Sequence, residues 1–189
     1  MGISTETPID LSAPPDCSDA GRDALFERIA AEYSAPMARL ARAHEADSSL
    51  RQDLLQEIHL ALWRSLPNFA GRCSVRTWVY RVAHNVAASH LLRQKRRRVE
   101  SLVTLDELVL EADGSETASS VDEQQVLEKL TRLIQRLKPI DRQLIVLHLE
   151  GLPAEEIAEI AGVSVSNVHT KLHRIRELLA KRIHSGDIT

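Results

Sequence analysis

Between Ser166 and Arg174 the chain carries Ser166, Asn167, His169, Thr170, Lys171, His173 and Arg174 on a helical period, with no carboxylate among them. Hydroxyl, amide, imidazole and cationic groups on one helix face can read base edges and neutralise phosphates in a major groove. The alternative is the solvated face of an ordinary bundle helix. A second candidate is Arg93, Lys95, Arg96, Arg97 and Arg98, five cations in six positions, a density suited to phosphate contacts. Next to it, Glu100 to Glu123 holds eight acidic residues and no Lys or Arg. The net charge of −3 argues against a general nucleic-acid coat, but the sorting of charge along the chain matters more than its sum. His169 and His173 have the spacing of a helical metal pair, yet no HExxH motif or third ligand accompanies them, so no metal or other cofactor is expected. Asp53 and Glu57 lie one turn apart, as an exposed acidic face explains without catalysis. With no nucleophile–base pair and no phosphate loop, an enzyme is not expected.

The elements that position these groups read as all-α. Apolar residues make up 43% of 189 residues but aromatics only 3%, so Leu, Ile, Val and Ala must fill the core, as in helical bundles. Seven glycines and seven prolines leave little turn chemistry for a many-stranded sheet. Residues 1–22 read as a mobile tail. Leu25, Phe26, Ile29, Ala30, Tyr33, Met37, Leu40 and Ala41 predict a first helix that Pro36 should bend or interrupt. Leu50, Leu54, Leu55, Ile58, Leu62, Trp63 and Leu66 predict a second, capped from Asp47 to Ser49 and stopped at Pro67-Asn68. Val75, Trp78, Val79, Val82, Val86 and Leu91 predict the inward side of a third. Trp63 and Trp78 are expected in the core; Tyr80 is open between core packing and base stacking.

Residues 23–98 thus form one small helical domain, 99–120 an acidic flexible linker with at most short helical pieces, 121–184 a second domain and 185–189 a tail. In the second domain Leu127, Leu130, Ile134 and Leu137 mark one helix, and Leu144, Ile145, Leu147 and Leu149 another after Pro139. Pro153 fits a first helical turn, Gly162 a left-handed turn and Ser164 an N-cap, which together make a helix-turn-helix. Cys17 and Cys73 suit neither a disulfide framework nor a zinc knuckle and read as reduced thiols. Without a long apolar run or a signal-like start, a cytoplasmic protein is expected.

The segment Leu137-Lys138-Pro139 to Ile183, with Glu156-Ile157-Ala158-Glu159-Ile160-Ala161-Gly162-Val163-Ser164-Val165 and Lys171-Leu172-His173-Arg174, resembles the C-terminal DNA-binding domain of extracytoplasmic-function (ECF) RNA polymerase sigma factors. Asp53-Leu54-Leu55-Gln56-Glu57 with Leu62-Trp63-Arg64 is similar to that family's clamp-binding helix, and Phe69-Ala70-Gly71 with Arg76-Thr77-Trp78-Val79-Tyr80-Arg81-Val82-Ala83-His84-Asn85 to its promoter-melting segment. The two motif sets span about residues 23 to 184 in the family's order.

The resemblance implies a factor that binds core polymerase and directs promoter recognition, DNA melting and transcription initiation. Asp53, Gln56 and Glu57 would meet the clamp of the largest subunit, with a further contact to the flap of the second subunit. Asn85, Asn68, Arg72, Arg76, Arg81, Arg93, Lys95, Arg96 and Arg97 would face the −10 element, with Asn85 reading a flipped-out base. The helix from Ser166 to Arg174 would dock at the −35 element, and the acidic linker would thread near the RNA exit path. An anti-sigma factor or other regulator is an expected partner. Two departures stand out: Leu50-Arg51-Gln52 replaces the acids that often precede the clamp motif, and Arg72-Cys73 replaces the acid that commonly follows glycine in the melting loop. A stand-alone helix-turn-helix repressor would leave the N-terminal motifs unexplained, and a decoy for a sigma-factor inhibitor would need no basic recognition surface.

Overall fold

The computed structural model describes residues 19–104 and 123–184, which form seven α-helices and one 3₁₀ turn with no strand among the described residues. The segments 1–18, 105–122 and 185–189 lie outside the described residues, and with them most of the predicted tail and linker.

Helix α1 (Asp19–His44) buries Leu25, Ile29, Tyr33, Met37, Leu40 and Ala41, the expected stripe. It begins four residues inside the predicted tail and runs unbroken through Pro36. The interruption considered for Pro36 does not occur: a helix buried along its length outweighs one lost backbone bond. Helix α2 (Ser48–Ser65) starts where the Asp47 carboxylate accepts the Leu50 N–H at 2.9 Å, and buries Leu54, Ile58 and Leu62. The 3₁₀ turn Leu66–Asn68, with Pro67, ends it. Gly71 adopts φ +66°, and the Ser74 hydroxyl accepts the Thr77 N–H at 3.0 Å to open α3 (Val75–Thr104). Helix α3 therefore extends six residues past the predicted end of the first domain.

Helix α4 (Glu123–Gln135) and α5 (Pro139–Leu149) are joined by a tight turn, with Pro139 at the first helical position, where its missing N–H costs little. Helix α6 (Ala154–Ala161) follows Pro153, which sits at the cap one residue before the predicted first turn. Gly162 ends α6 at φ +68°, and the Ser164 hydroxyl accepts the Asn167 N–H at 3.2 Å at the start of α7 (Val165–His184). This is the expected helix-turn-helix. Leu127 and Leu149 lie on the expected helices but are 62% and 58% exposed. Helix α4 instead buries Leu133 and Ile134 near its C-terminal end, and Leu149 stands where α5 ends at the Glu150-Gly151 turn.

The two halves pack against each other. Helix α1 packs on α2, α3, α4 and α5, α3 packs on α5 and α6, and one apolar cluster runs from Leu25 to Leu179. This seam explains the largest departure from the predicted pattern. Helix α3 buries Val75, Trp78 and Val79 as expected, but Val82, Val86 and Leu91 are only half-buried, while Tyr80, Ala83, His84, Ala87 and His90 go fully inside. Tyr80 is thereby core rather than a stacking platform. Trp78 is buried too, but Trp63, also expected in the core, is 36% exposed, its indole donating to Asp23 at 3.1 Å beneath the Arg22 guanidinium.

Candidate nucleic-acid and polymerase interfaces

Helix α7 presents its predicted face because Val168, Leu172, Ile175 and Leu179 are buried at steps of four, three and four. Ser166, Asn167, His169, Thr170, His173 and Arg174 are consequently exposed. Lys171 differs: its ammonium donates to Asp141, in the first turn of α5, at 2.6 Å, with both side chains mostly covered. The Thr170 hydroxyl turns back to the Ser166 carbonyl at 2.9 Å, and the His173 ring stands 3.7 Å from Glu177. Among the described residues no three side chains are grouped to hold a metal ion.

Helices α2 and α3 line two adjoining grooves. In one, of about 510 Å³, Asp53, Gln56 and Glu57 of α2 meet His90, Arg93 and Gln94 of α3, with Leu50 and Leu60 between them. In the other, of about 380 Å³, Asn85 joins Glu57, Leu60, Arg64, Ser89 and Arg93. The structure thus brings Asn85 and Arg93 beside the Asp53, Gln56 and Glu57 face, and Arg93 is bonded to the Glu57 carboxylate. Leu60 is 46% exposed at the centre of this surface. Lys95 and Arg96 stand exposed further along α3, while the Arg97 and Arg98 side chains lie outside the described set. Asn68 and Arg72 are exposed in the turn region before α3.

Arg76 and Arg81 face α5 and α6 instead. A guanidinium nitrogen of Arg76 donates to the Glu150 carbonyl at 2.5 Å, and Arg81 pairs with Glu159 at 2.5 Å. Between them the Thr77 hydroxyl donates to Glu156 at 3.1 Å. Glu150 is the centre of the seam: its carboxylate takes both ends of the Arg39 fork at 2.7 Å and the Tyr80 hydroxyl at 3.1 Å. That bond with Glu150 raises the Arg39 pKa, and burial, followed by the Glu150 charge, pushes the Tyr80 phenol up. At the other end of the seam the buried Arg142 donates to the Gln135, Leu137 and His44 carbonyls. Sequence reasoning missed Arg39, Arg142, Glu150 and Glu159. Their partners lie up to 111 positions away, and no local spacing marks them.

Residues 29–97 match the family described as Sigma-70 region 2, and residues 127–179 match Sigma-70, region 4. The chain is 30% identical over 172 residues to the RNA polymerase sigma-H factor of Pseudomonas aeruginosa, covering 86% of this chain and 88% of that one. It is 28% identical over 174 residues to the ECF RNA polymerase sigma-E factor of Escherichia coli K12, with 86% and 88% covered. Among solved structures, CnrH in complex with the cytosolic domain of CnrY superposes with a TM-score of 0.62 at 19% identity, covering 88% of this chain and 92% of that one. The sigma factor RpoE of Bartonella quintana, solved with the anti-sigma factor NepR, gives 0.65 at 17% identity, with 84% and 96% covered.

Proposed function

Because this chain belongs to the ECF RNA polymerase sigma factors, which direct core polymerase to promoters and start transcription there, we propose how that work is divided among its residues. Ser166, Asn167, His169, Thr170, His173 and Arg174 read the −35 element from α7. The observation that carries this reading is the exposed, acid-free outer face that the buried Val168-Leu172-Ile175 row turns to solvent. Lys171 adds a weaker contact on the same face, its ammonium shared with Asp141. Asp53, Gln56 and Glu57, around the exposed Leu60, dock on the polymerase clamp, with acids meeting a basic partner surface and Leu60 supplying apolar area.

Asn85, in the neighbouring groove, captures an unstacked −10 base. Asn68, Arg72, Arg76, Arg81, Arg93, Lys95, Arg96 and Arg97 hold the surrounding DNA. The residues 23–98 and 121–184 carry the −10 and −35 contacts respectively, and the acidic segment joins them along the RNA exit path. An amide has both a donor and an acceptor for a base edge, and binding the flipped base offsets an opening cost of a few kcal/mol. Strand opening is driven by binding free energy, so the chain needs no covalent chemistry of its own and acts without a cofactor. Its place is the cytoplasm with the polymerase; among the described residues no helix is long and apolar enough to cross a membrane. The complexes of CnrH with CnrY and of RpoE with NepR favour a protein regulator for this chain as well.

The test is run-off transcription with core polymerase on templates selected from a random-sequence promoter library. Transcripts should require the chain, and Asn85→Ala should lower open-complex formation and relax base preference at one −10 position, by about 1–3 kcal/mol if one specific contact is lost. Equal loss on every base variant would instead assign Asn85 a structural part.

A further inference from the structure

His90 lines the groove that also holds Asp53, Gln56 and Glu57, yet its side chain is only 7% exposed. Its two ring nitrogens face carboxylates of two different elements. Nε2 stands 3.1 Å from Oε2 of Glu45, in the connection between α1 and α2, and Nδ1 stands 4.0 Å from Oε2 of Glu57 on α2. The Glu45 side chain is as deeply covered as His90 and is itself tied down: its Oε1 accepts the Asp47 N–H at 2.9 Å, and its Oε2 also accepts the Gln94 amide. Glu57, in contrast, is 42% exposed and is otherwise held by Arg93, through the same Oε2. A fixed, buried carboxylate and a half-exposed one therefore lie on opposite sides of one imidazole.

With a proton on each nitrogen, an imidazole donates to Glu45 and attracts Glu57 at the same time. Because His90 and Arg93 both address Oε2, Oε1 of Glu57 is left for a donor on a docking partner. A glutamate held in this way loses less rotamer freedom on docking than a free one. Arg93 cannot supply that hold alone, since its side chain is 48% exposed and such pairs are weak. It is also one of the cations assigned to DNA, and when it turns to a phosphate His90 still faces Glu57. We infer that His90 is a positioning residue for polymerase docking: anchored on Glu45, it holds Glu57 in the orientation in which the clamp meets it.

This inference rests on the assignment of Glu57 to the clamp, and the variants separate the two. A glutamine at a histidine position can place its amide nitrogen where Nε2 was, and an asparagine where Nδ1 was. His90→Gln should therefore keep the Glu45 bond and lose the hold on Glu57. His90→Asn should keep a donor towards Glu57 and abandon the buried Glu45, which costs stability. Affinity of the full-length protein for core RNA polymerase is measured by fluorescence anisotropy with a dye on the N-terminal amine, and stability by urea unfolding. His90→Gln should bind core about 5-fold more weakly at near wild-type stability. His90→Asn should unfold at lower urea and bind core nearly as tightly as wild type. A side chain that only fills space would lose stability and affinity together in both variants.

Glu57→Gln should itself weaken core binding, and His90→Gln added to it should change affinity by less than about 1.5-fold, because the group it positions is gone. Effects that multiply in the double variant, wild-type affinity in His90→Gln, parallel losses in the two His90 variants, or loss of the fold in both would overturn the inference. Wild-type affinity in Glu57→Gln would overturn the clamp assignment itself, and with it any part for His90 in docking.

Discussion

Lys171 and Arg174 are three positions apart on α7 and carry the same charge, yet their surroundings differ. Arg174 stands exposed, whereas the Lys171 ammonium lies 2.6 Å from Asp141 with 29% of its side chain exposed. A cation already neutralised by a carboxylate releases fewer counterions when it meets a phosphate. Arg174→Ala should therefore lower the slope of log affinity against log salt by about 0.9, the loss of one phosphate contact, and Lys171→Ala by clearly less. Asp141→Asn should steepen the slope by releasing Lys171. Fluorescence anisotropy of −35 duplex between about 50 and 200 mM salt measures all three; a Lys171→Ala effect equal to that of Arg174→Ala would mean that the Asp141 pair is given up on binding. At this scale the sequence is legible where the partner is local, as with the Asp47 and Ser164 caps. Trp63 was not, because its partner Asp23 is 40 positions away and reaches it only once α1 is laid across α2.

Elements were the most legible level, since caps and hydrophobic spacing act within a few residues. The turn between α6 and α7 shows it: Gly162 needs φ +68°, and a Cβ built there meets nothing within 4 Å. Gly162→Ala should thus cost conformational strain and no packing, about 1 kcal/mol, leaving the fold intact while lowering the melting temperature by a few degrees. Thermal unfolding followed by circular dichroism gives the shift, and a loss of several kcal/mol would mean that the turn is packed more tightly than its open surroundings indicate. Helix α3 marks where element-level reading fails. Periodicity selects apolar residues, so it found Val75, Trp78 and Val79 and then followed Val82, Val86 and Leu91. The buried row actually continues through Tyr80, His84 and His90. Polar side chains can enter a core when distant groups meet them: Tyr80 does so through Glu150 and His90 through Glu45 at 3.1 Å. Neither partner can be anticipated from spacing along α3.

At the scale of the whole molecule, the sorting of cations and acids along the chain was visible, but not which acids would close on which cations. The buried histidines at the seam give a solution test of how the halves pack. His44, at the end of α1, packs edge-on against His84 of α3 with ring centroids 5.6 Å apart, and the ring nitrogens of both lack hydrogen-bond partners among the described residues. Burial, then the charges of Arg142 and His90, hold the His44 pKa down to about 3, while burial and then His44 hold His84 well below its ordinary value of 6.5. The unfolded chain takes up these protons near pH 6.5, and the native protein takes up that of His44 only near pH 3. Across that window the unfolded state binds more protons, so stability is complete above pH 6.5 and falls as the pH drops. Each histidine should contribute a slope of up to about 1.4 kcal/mol per pH unit. Urea unfolding between pH 7 and pH 5 should show the decline, and His84→Phe should flatten it by about one histidine's share. Because Arg142 of α5 both bonds the His44 carbonyl and lowers the His44 pKa, Arg142→Gln should raise that pKa and flatten the slope as well. An unchanged slope in that variant would place the histidine pair inside the N-terminal half alone, independent of its contact with α5.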